Sequence, residues 1–161
     1  MDNVKEKIAI ASDHAGFQLK EQIKLNLEEN GYGVLDLGTS SEEAVDYPDY
    51  GKALAQHILK GNVKKGIALC GTGIGISIAA NRFKGIRAAL CNNKEMAIQA
   101  RKHNNANIIA LGARSIDLQC ANKCVDAFLN TEFEGERHIN RLEKIEKKIL
   151  HNEDIDLENA V

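Results

Sequence analysis

Short apolar runs alternate along this chain with longer amphipathic stretches. The runs are Ile8-Ala9-Ile10-Ala11, Gly33-Val34-Leu35-Asp36-Leu37, Gly66-Ile67-Ala68-Leu69-Cys70, Ile86-Arg87-Ala88-Ala89-Leu90 and Asn107-Ile108-Ile109-Ala110-Leu111. Bounded by glycine or polar residues, they suit parallel strands covered on both faces. The stretches between them carry helical stripes. Phe17, Leu19, Lys20, Ile23 and Leu27 form one, closed by Asn30-Gly31 as a helix stop. Ala53, Leu54, His57 and Ile58 form another, between Tyr47-Pro48-Asp49 and Gly61. Leu118, Ala121, Val125, Phe128 and Leu129 mark a later helix, and a last one over about Arg137 to Leu150 aligns Leu142, Ile145 and Ile149. The last stripe is narrow and densely charged around, which makes that helix a candidate for packing on a neighbouring subunit. This alternation predicts one α/β domain over residues 1–150, an open, mostly parallel five-stranded sheet with helices on both faces. In such sheets ligands bind beyond the carboxyl ends of the strands.

Composition narrows the function classes. Of 161 residues, 43% are apolar and 27% charged, the balance of a soluble protein with a real core. Aromatic residues are only 4% and tryptophan is absent, so aliphatic side chains must build that core. No apolar run is long enough for a membrane span or a secretory leader, and a cytoplasmic location is expected. Net charge is −2, but His151 to Val161 holds Glu153, Asp154, Asp156 and Glu158 and no Lys or Arg. Taking those four from 23 acids against 21 bases turns the balance to +2. That surplus is too small for a nucleic-acid footprint, whereas a small anionic ligand needs only a few placed cations. The segment 151–161 reads as an acidic, mobile tail. The four cysteines, Cys70, Cys91, Cys120 and Cys124, lack the paired spacing of a zinc site and read as free thiols.

Three strand ends carry the notable chemistry: Ser12-Asp13-His14-Ala15-Gly16 after the first, Cys70-Gly71-Thr72-Gly73-Ile74-Gly75-Ile76-Ser77 after the third, and Gly112-Ala113-Arg114 after the fifth. All three should converge on one edge of the sheet. The glycine-rich loop has no following lysine, so it is not a nucleotide P-loop. Counted from Gly71 and Gly73, the sixth position is Ile76, so the dinucleotide fingerprint fails as well. What remains is a loop whose backbone N–H groups can turn toward an anion before the helix Ile78-Ala79-Ala80-Asn81. A cysteine closing a strand is ordinarily a small buried apolar residue. Beside this loop and Thr72, Cys70 reads instead as a reactive base or nucleophile whose thiolate the N–H dipoles stabilise.

His103, just before the fifth strand, falls at the opposite edge of the sheet by simple topology and could reach only a neighbour's strand ends. Arg137 and Arg141 share a helix face at a spacing able to clamp a phosphate, although a solvated charged helix start shows the same spacing. Cys120 and Cys124 stand one helical turn apart without the further ligands a metal needs.

The ordered set Ser12 to Gly16, Asp46-Tyr47-Pro48, Cys70 to Asn81, Gly85 to Ala89, His103-Asn104, Leu111 to Arg114 and Glu134-Gly135-Glu136-Arg137-His138 resembles the type B ribose-5-phosphate isomerases. Their family also contains galactose-6-phosphate isomerase subunits. The resemblance runs from about Lys7 to about Leu150. It implies a Rossmann-like αβα subunit, no metal or cofactor, and a homodimer or homotetramer with the active site between subunits. It also implies an aldose–ketose isomerase acting through a cis-enediolate. By this resemblance Cys70 is the base, while Thr72 and the N–H groups of Gly71, Gly73, Ile74 and Gly75 hold the enediolate oxygen. His103 of a partner subunit opens the sugar ring with Asp13 assisting. His14, Arg114, Arg137 and Arg141 bind the phosphate with His138 nearby, and Tyr47 and Asn104 face the sugar hydroxyls.

The chemistry stands on its own as well. Removing a proton next to a carbonyl leaves charge on oxygen, so a base must be paired with preorganised donors. With Cys70, Thr72 and His103 on one chain, a self-sufficient homo-oligomer acting on D-ribose 5-phosphate and D-ribulose 5-phosphate is the expectation. The same chemistry on allose or galactose 6-phosphate, and a sugar-phosphate binding module without catalysis, are the alternatives.

Overall fold

The computed structural model describes residues 4–147; the acidic segment 151–161 and Ile149 lie outside them. Five strands, β1 (Lys5–Ser12), β2 (Tyr32–Asp36), β3 (Lys65–Cys70), β4 (Ala88–Leu90) and β5 (Ile108–Gly112), pair in the order β2-β1-β3-β5-β4. Every pairing is parallel, so the sheet is wholly rather than mostly parallel. The crossovers are α1 (Phe17–Glu29), α2 (Tyr47–Leu59), α3 (Ile74–Ala80) and α4 (Lys94–Asn104). After β5 come α5 (Leu118–Asn130), a 3-10 turn at Glu136–His138, and α6 (Ile139–Glu146).

Alternation along the central strands sorts side chains by size, Ile108 on the alanine side excepted. Ile8, Ile10, Ile67, Leu69, Ile109 and Leu111 face one core with α1, α4 and α5. Ala9, Ala11, Ala68, Cys70 and Ala110 face the other with Leu54 of α2 and Ile76 of α3. Burying each large aliphatic side chain contributes about 1.5–3 kcal/mol. The alanine-paved face instead lets α2 and α3 lie close over β3, which brings the start of α3 against the end of that strand.

Several boundaries differ from the pattern-based expectation. β1 begins at Lys5 because its polar start still pairs with Tyr32 of β2, and a backbone ladder needs no apolar side chain. β4 shrinks to Ala88–Leu90: Ile86 N–H is used in a turn to Phe83 O, and Arg87 N–H donates to Asn107 Oδ1 at 2.8 Å. The open edge of β4 is closed by Asn81, whose amide donates to Ala88 O and accepts from Ala88 N–H, both at 2.8 Å. Such covering protects an edge strand from adding another strand. The helix after the glycine-rich loop starts at Ile74 rather than Ile78, so Gly75 belongs to its first turn.

The last helix is entered through the 3-10 turn, and α6 proper starts at Ile139. None of its residues is buried. Glu146 ties it down, pairing with Arg87 at 2.7 Å and accepting from Gly85 N–H at 2.9 Å. A second polar anchor lies at the end of β2. Lys20, fully buried, donates to both Asp36 carboxylate oxygens at 2.8 and 2.9 Å and to Glu21 at 2.7 Å, while Lys24 reaches Asp36 at 2.6 Å. Burial raises the Asp36 pKa, but the two lysines outweigh it and leave the carboxyl below its ordinary value. Among the described residues no helix is long and apolar enough to cross a membrane.

Candidate active site

β1 and β3 are adjacent, with β5 beyond β3, and the chain reverses its direction of travel across the sheet between β1 and β3. Such a reversal splits the loops and leaves a crevice at the strand ends. Here it is a cavity of about 220 Å³, lined by Asp13, His14 and Ala15 from the β1 end and by Cys70, Gly71, Thr72 and Gly75 from the β3 end. Tyr47 of α2 and Arg114 beyond β5 complete the lining. Backbone bonds join the three segments: Asp13 N–H donates to Leu69 O at 3.2 Å, Ala113 N–H to Cys70 O at 2.9 Å and Arg114 N–H to Gly71 O at 2.9 Å.

Cys70 is 4% exposed, and its Sγ accepts a hydrogen bond from Gly73 N–H at 3.1 Å. Gly73 adopts φ +77°, a left-handed conformation that glycine takes without penalty and that turns its N–H back onto the sulfur. Thr72 Oγ1 accepts from Ile74 N–H at 3.2 Å. Gly75, the second residue of α3, has no acceptor within the helix for its N–H. A Cβ at position 75 would fall 2.6 Å from the Tyr47 ring, so glycine is what lets that ring form the wall. Asp13, nearly buried, accepts from Gly16 N–H at 3.1 Å through Oδ1. His14 Nδ1 stands 3.1 Å from Val45 N and 3.2 Å from Val45 O, which ties the ring to the loop before α2. The cavity therefore holds a thiol with a dipole aimed at it, a carboxylate, an imidazole, a hydroxyl and the exposed guanidinium of Arg114.

The remaining residues singled out from the sequence gather elsewhere. His103 and Asn104 end α4, which runs against the strands and so delivers them to the amino edge of β5. His138 stacks on His103 there, with ring centroids 4.5 Å apart and planes inclined by 17°. Arg137 and Arg141 belong to the same turn and helix start. None of these five lines the cavity. His138 is buried rather than presented to solvent as a phosphate ligand would be, and Ile74 is largely exposed on α3. Val45, which acts through its backbone, had no signal in the sequence pattern. Glu134, whose Oε2 stands 3.7 Å from His138 Nε2, stood out only within the Glu134 to His138 motif and not for that contact.

Ligand atoms of His103, Glu134 and His138 come within 4.8 Å of one another. The two imidazole planes are nearly parallel, so their in-plane lone pairs run side by side and do not converge on one ion as a tetrahedral site requires. A larger cleft of about 870 Å³ also opens at the amino edge, with Lys65, Arg87 and Arg101 among its walls. These cations are already engaged: Lys65 with Glu6, Arg87 with Glu146, and Arg101 with Ala106 O at 2.6 Å and Thr131 O at 3.2 Å. The cleft wall carries no thiol, hydroxyl or imidazole, whereas the smaller cavity at the strand ends holds all three.

Comparison with known proteins agrees with this geometry. The family model described as Ribose/Galactose Isomerase matches residues 8–145. Ribose-5-phosphate isomerase B of Escherichia coli is 47% identical over 140 residues, spanning 87% of this chain and 94% of the relative. A ribose 5-phosphate isomerase structure from Thermotoga maritima superposes with a TM-score of 0.88 at 56% identity, covering 89% of this chain and 99% of that one. The Mycoplasma genitalium ribose-5-phosphate isomerase B, solved with bound ribulose-5-phosphate, gives 0.84 at 40% identity, covering 88% and 94%. A family match over most of the chain and close structural agreement at such identities leave one assignment: the chain belongs to the ribose/galactose isomerase family.

Proposed function

We propose that the protein interconverts D-ribose 5-phosphate and D-ribulose 5-phosphate through a cis-enediolate. The observation that carries this reading is the Cys70 thiol, held at 3.1 Å by Gly73 N–H in a cavity shared with Asp13, His14, Thr72 and Arg114. Binding a sugar phosphate needs cations and hydroxyl partners but no base. A cysteine with an N–H aimed at its sulfur supplies one.

In the forward direction the Cys70 thiolate takes the proton from C2 of the open-chain aldose, and charge develops on O1. The Thr72 hydroxyl and the N–H groups of Gly71 and Gly75 stabilise that oxygen, since the N–H groups of Gly73 and Ile74 are already given to Cys70 Sγ and Thr72 Oγ1. Losing one such donor typically costs about 2.7–4 kcal/mol. The thiol returns its proton to C1 while the O2 hydroxyl proton passes to O1, giving the ketose with no net change in the enzyme. Asp13 accepts from the C1 hydroxyl as the furanose opens. Tyr47 walls the sugar, and His14 and Arg114 hold the phosphate, whose binding energy orients a small flexible substrate.

Ring opening also needs an acid at the ring oxygen. His103 of the partner subunit fills this role in a homodimer, alone or as half of a homotetramer. Asn104 of the partner subunit contacts the sugar, and Arg137 and Arg141 of the partner subunit complete the phosphate site. Two observations support a composite site. These residues lie at the far edge of the sheet from their own cavity. Ile74 and Ile78 of α3 and Ile139 and Ile145 of α6 are all about half exposed or more, as faces awaiting a partner are. The four free thiols suit a reducing compartment, and we assign the activity to the cytoplasm.

Proton NMR in D₂O without added metal tests the reading, with ribose 5-phosphate followed beside allose 6-phosphate and galactose 6-phosphate. Ribulose 5-phosphate should form with deuterium entering the exchanging carbon. Turnover of a hexose phosphate alone would replace the substrate, and no turnover by folded protein would leave a binding module. Mixing Cys70→Ala with His103→Ala chains, each inactive alone, should restore about a quarter of the wild-type activity if every site draws on two chains. No recovery after confirmed subunit exchange would place both residues in a single-chain site.

A further inference from the structure

Residues 131–138 are stitched to the last turn of α4. Arg101 Nε donates to Thr131 O at 3.2 Å, Glu134 N–H donates to Lys102 O at 3.1 Å, and Lys102 Nζ pairs with Glu134 at 3.5 Å. Two successive left-handed residues, Gly135 at φ +71° and Glu136 at φ +47°, then swing the chain into the 3-10 turn that ends on His138. The outcome is one imidazole laid flat on another, His138 on His103.

His138 is 4% exposed, and its Nε2 has no hydrogen-bond partner among the described residues. A buried polar atom without a partner weakens a fold, so stability alone would favour an apolar side chain at that position. What the ring does supply is a flat face at stacking distance. His103 is half-buried at a helix end, where an imidazole otherwise turns freely about its second side-chain torsion.

From this we infer that His138 is a positioning residue for the reaction: its ring clamps the His103 imidazole in a single plane, with its nitrogen edge presented to the sugar bound by the facing subunit. The inference rests on the reading of His103 as the ring-opening acid. A catalytic group that wanders by an ångström can lose about a hundredfold in rate, which is the scale of effect a clamp can protect. Burial first, and then His103, Arg137 and Arg141, push the His138 imidazole below its ordinary pKa, with Glu134 opposing. His138 thus offers a neutral face rather than a second cation.

Three variants separate the plane from the nitrogens. His138→Ala removes both, His138→Gln keeps a polar group without a ring, and His138→Phe keeps a ring without nitrogens. With ribose 5-phosphate, the Ala and Gln variants should lower kcat about 10- to 100-fold, while Phe stays within about threefold of wild type. Inhibition by inorganic phosphate should be unchanged in all three if the buried His138 ring serves His103 rather than the phosphate. Histidine-ring NMR of the intact protein without substrate gives a readout independent of turnover. The His103 resonances should shift and broaden in the Ala and Gln variants and stay near wild type in Phe.

A wild-type kcat in His138→Ala overturns the inference, as does a Phe variant as slow as Ala. So does a loss of phosphate affinity equal to that of Arg137→Ala. If His138→Ala fails a thermal-melt check, the Gln and Phe pair carries the comparison. Should His103→Ala itself turn over normally, the acid assignment fails, whereas the NMR spectra still decide whether His138 holds His103.

Discussion

The two ends of the sheet are built from similar residue types and are chemically unlike. At the carboxyl ends of β1, β3 and β5, side chains open onto a cavity, and the loop after β3 directs Gly73 N–H toward the Cys70 sulfur. At the amino edge, α4 ends with Arg101, Lys102 and His103 in its last turn, where cations complement the negative end of a helix. There Arg101 is consumed by carbonyl groups and His103 is stacked rather than solvated. One end presents backbone N–H groups and a thiol, and the other a stacked pair of imidazoles beside arginine and lysine side chains. In a parallel sheet, a single copy of the chain cannot bring the two ends together, which is why the proposed reaction draws on two copies.

The comparison is broken most severely by Cys70→Ala. If the carboxyl end holds the base, isomerisation should fall by about 10²–10⁴-fold, the usual contribution of a general base, with phosphate inhibition unchanged. A steady-state assay at matched protein concentration reads this, and substantial residual turnover would move the base elsewhere. Next in size is Arg114→Ala, which removes an exposed guanidinium from the cavity wall. Losing a charged hydrogen bond of about 1.5–3 kcal/mol should raise KM roughly 10- to 100-fold while kcat changes little. An unchanged KM would hand the phosphate to the amino-edge arginines alone.

A smaller effect concerns stability and isolates the scaffold from the chemistry. Asp36→Asn leaves buried Lys20 with Glu21 as its one carboxylate partner and should cost about 3 kcal/mol at neutral pH. Because the folded Asp36 pKa lies below its ordinary value, this stabilisation is complete above the unfolded carboxyl pKa of about 4 and is lost as pH falls through the folded value. Denaturation curves of wild type and variant should therefore converge in acid. A gap that persists at low pH would mean the lysines do not govern this carboxylate.

The mildest test compares thiols. Burial pushes Cys91 up to about 11 and, with Cys120 adding to burial, Cys124 up to about 12. Iodoacetamide near neutral pH should thus spare both, and any labelling of Cys70 should be suppressed by ribose 5-phosphate. Mass spectrometry showing Cys124 modified first would contradict the buried-thiol assignment.

Much of the fold was legible because strand alternation and helical stripes are local signals. The apolar centres of all five strands were visible, as was the Asn30-Gly31 helix stop, whereas α2 begins at Tyr47, within the Tyr47-Pro48-Asp49 segment expected to precede it. The polar beginning of β1 was not, since Lys5 joins the ladder through backbone groups that leave no mark on the apolar pattern. The early start of α3 was hidden because glycine at position 75 reads as loop until the Tyr47 ring packed against it is seen. Glu134 and His138 drew attention only as parts of a motif. Their role depends on a loop that folds back onto α4.

The residue types needed for chemistry, Cys70 beside a glycine-rich turn, Asp13 and His14 after β1, Arg114 after β5, were set by sequence alone. So was their arrival at one edge, because parallel strands joined by helices must end on the same side. Tertiary structure alone decided that Gly73 N–H meets the Cys70 sulfur, that Arg101 is spent on carbonyl groups, and that His138 lies flat on His103. Those contacts join residues far apart in the chain or turn on backbone angles of a few degrees. They are settled by close packing, where a misplaced atom costs more than any local propensity can offset.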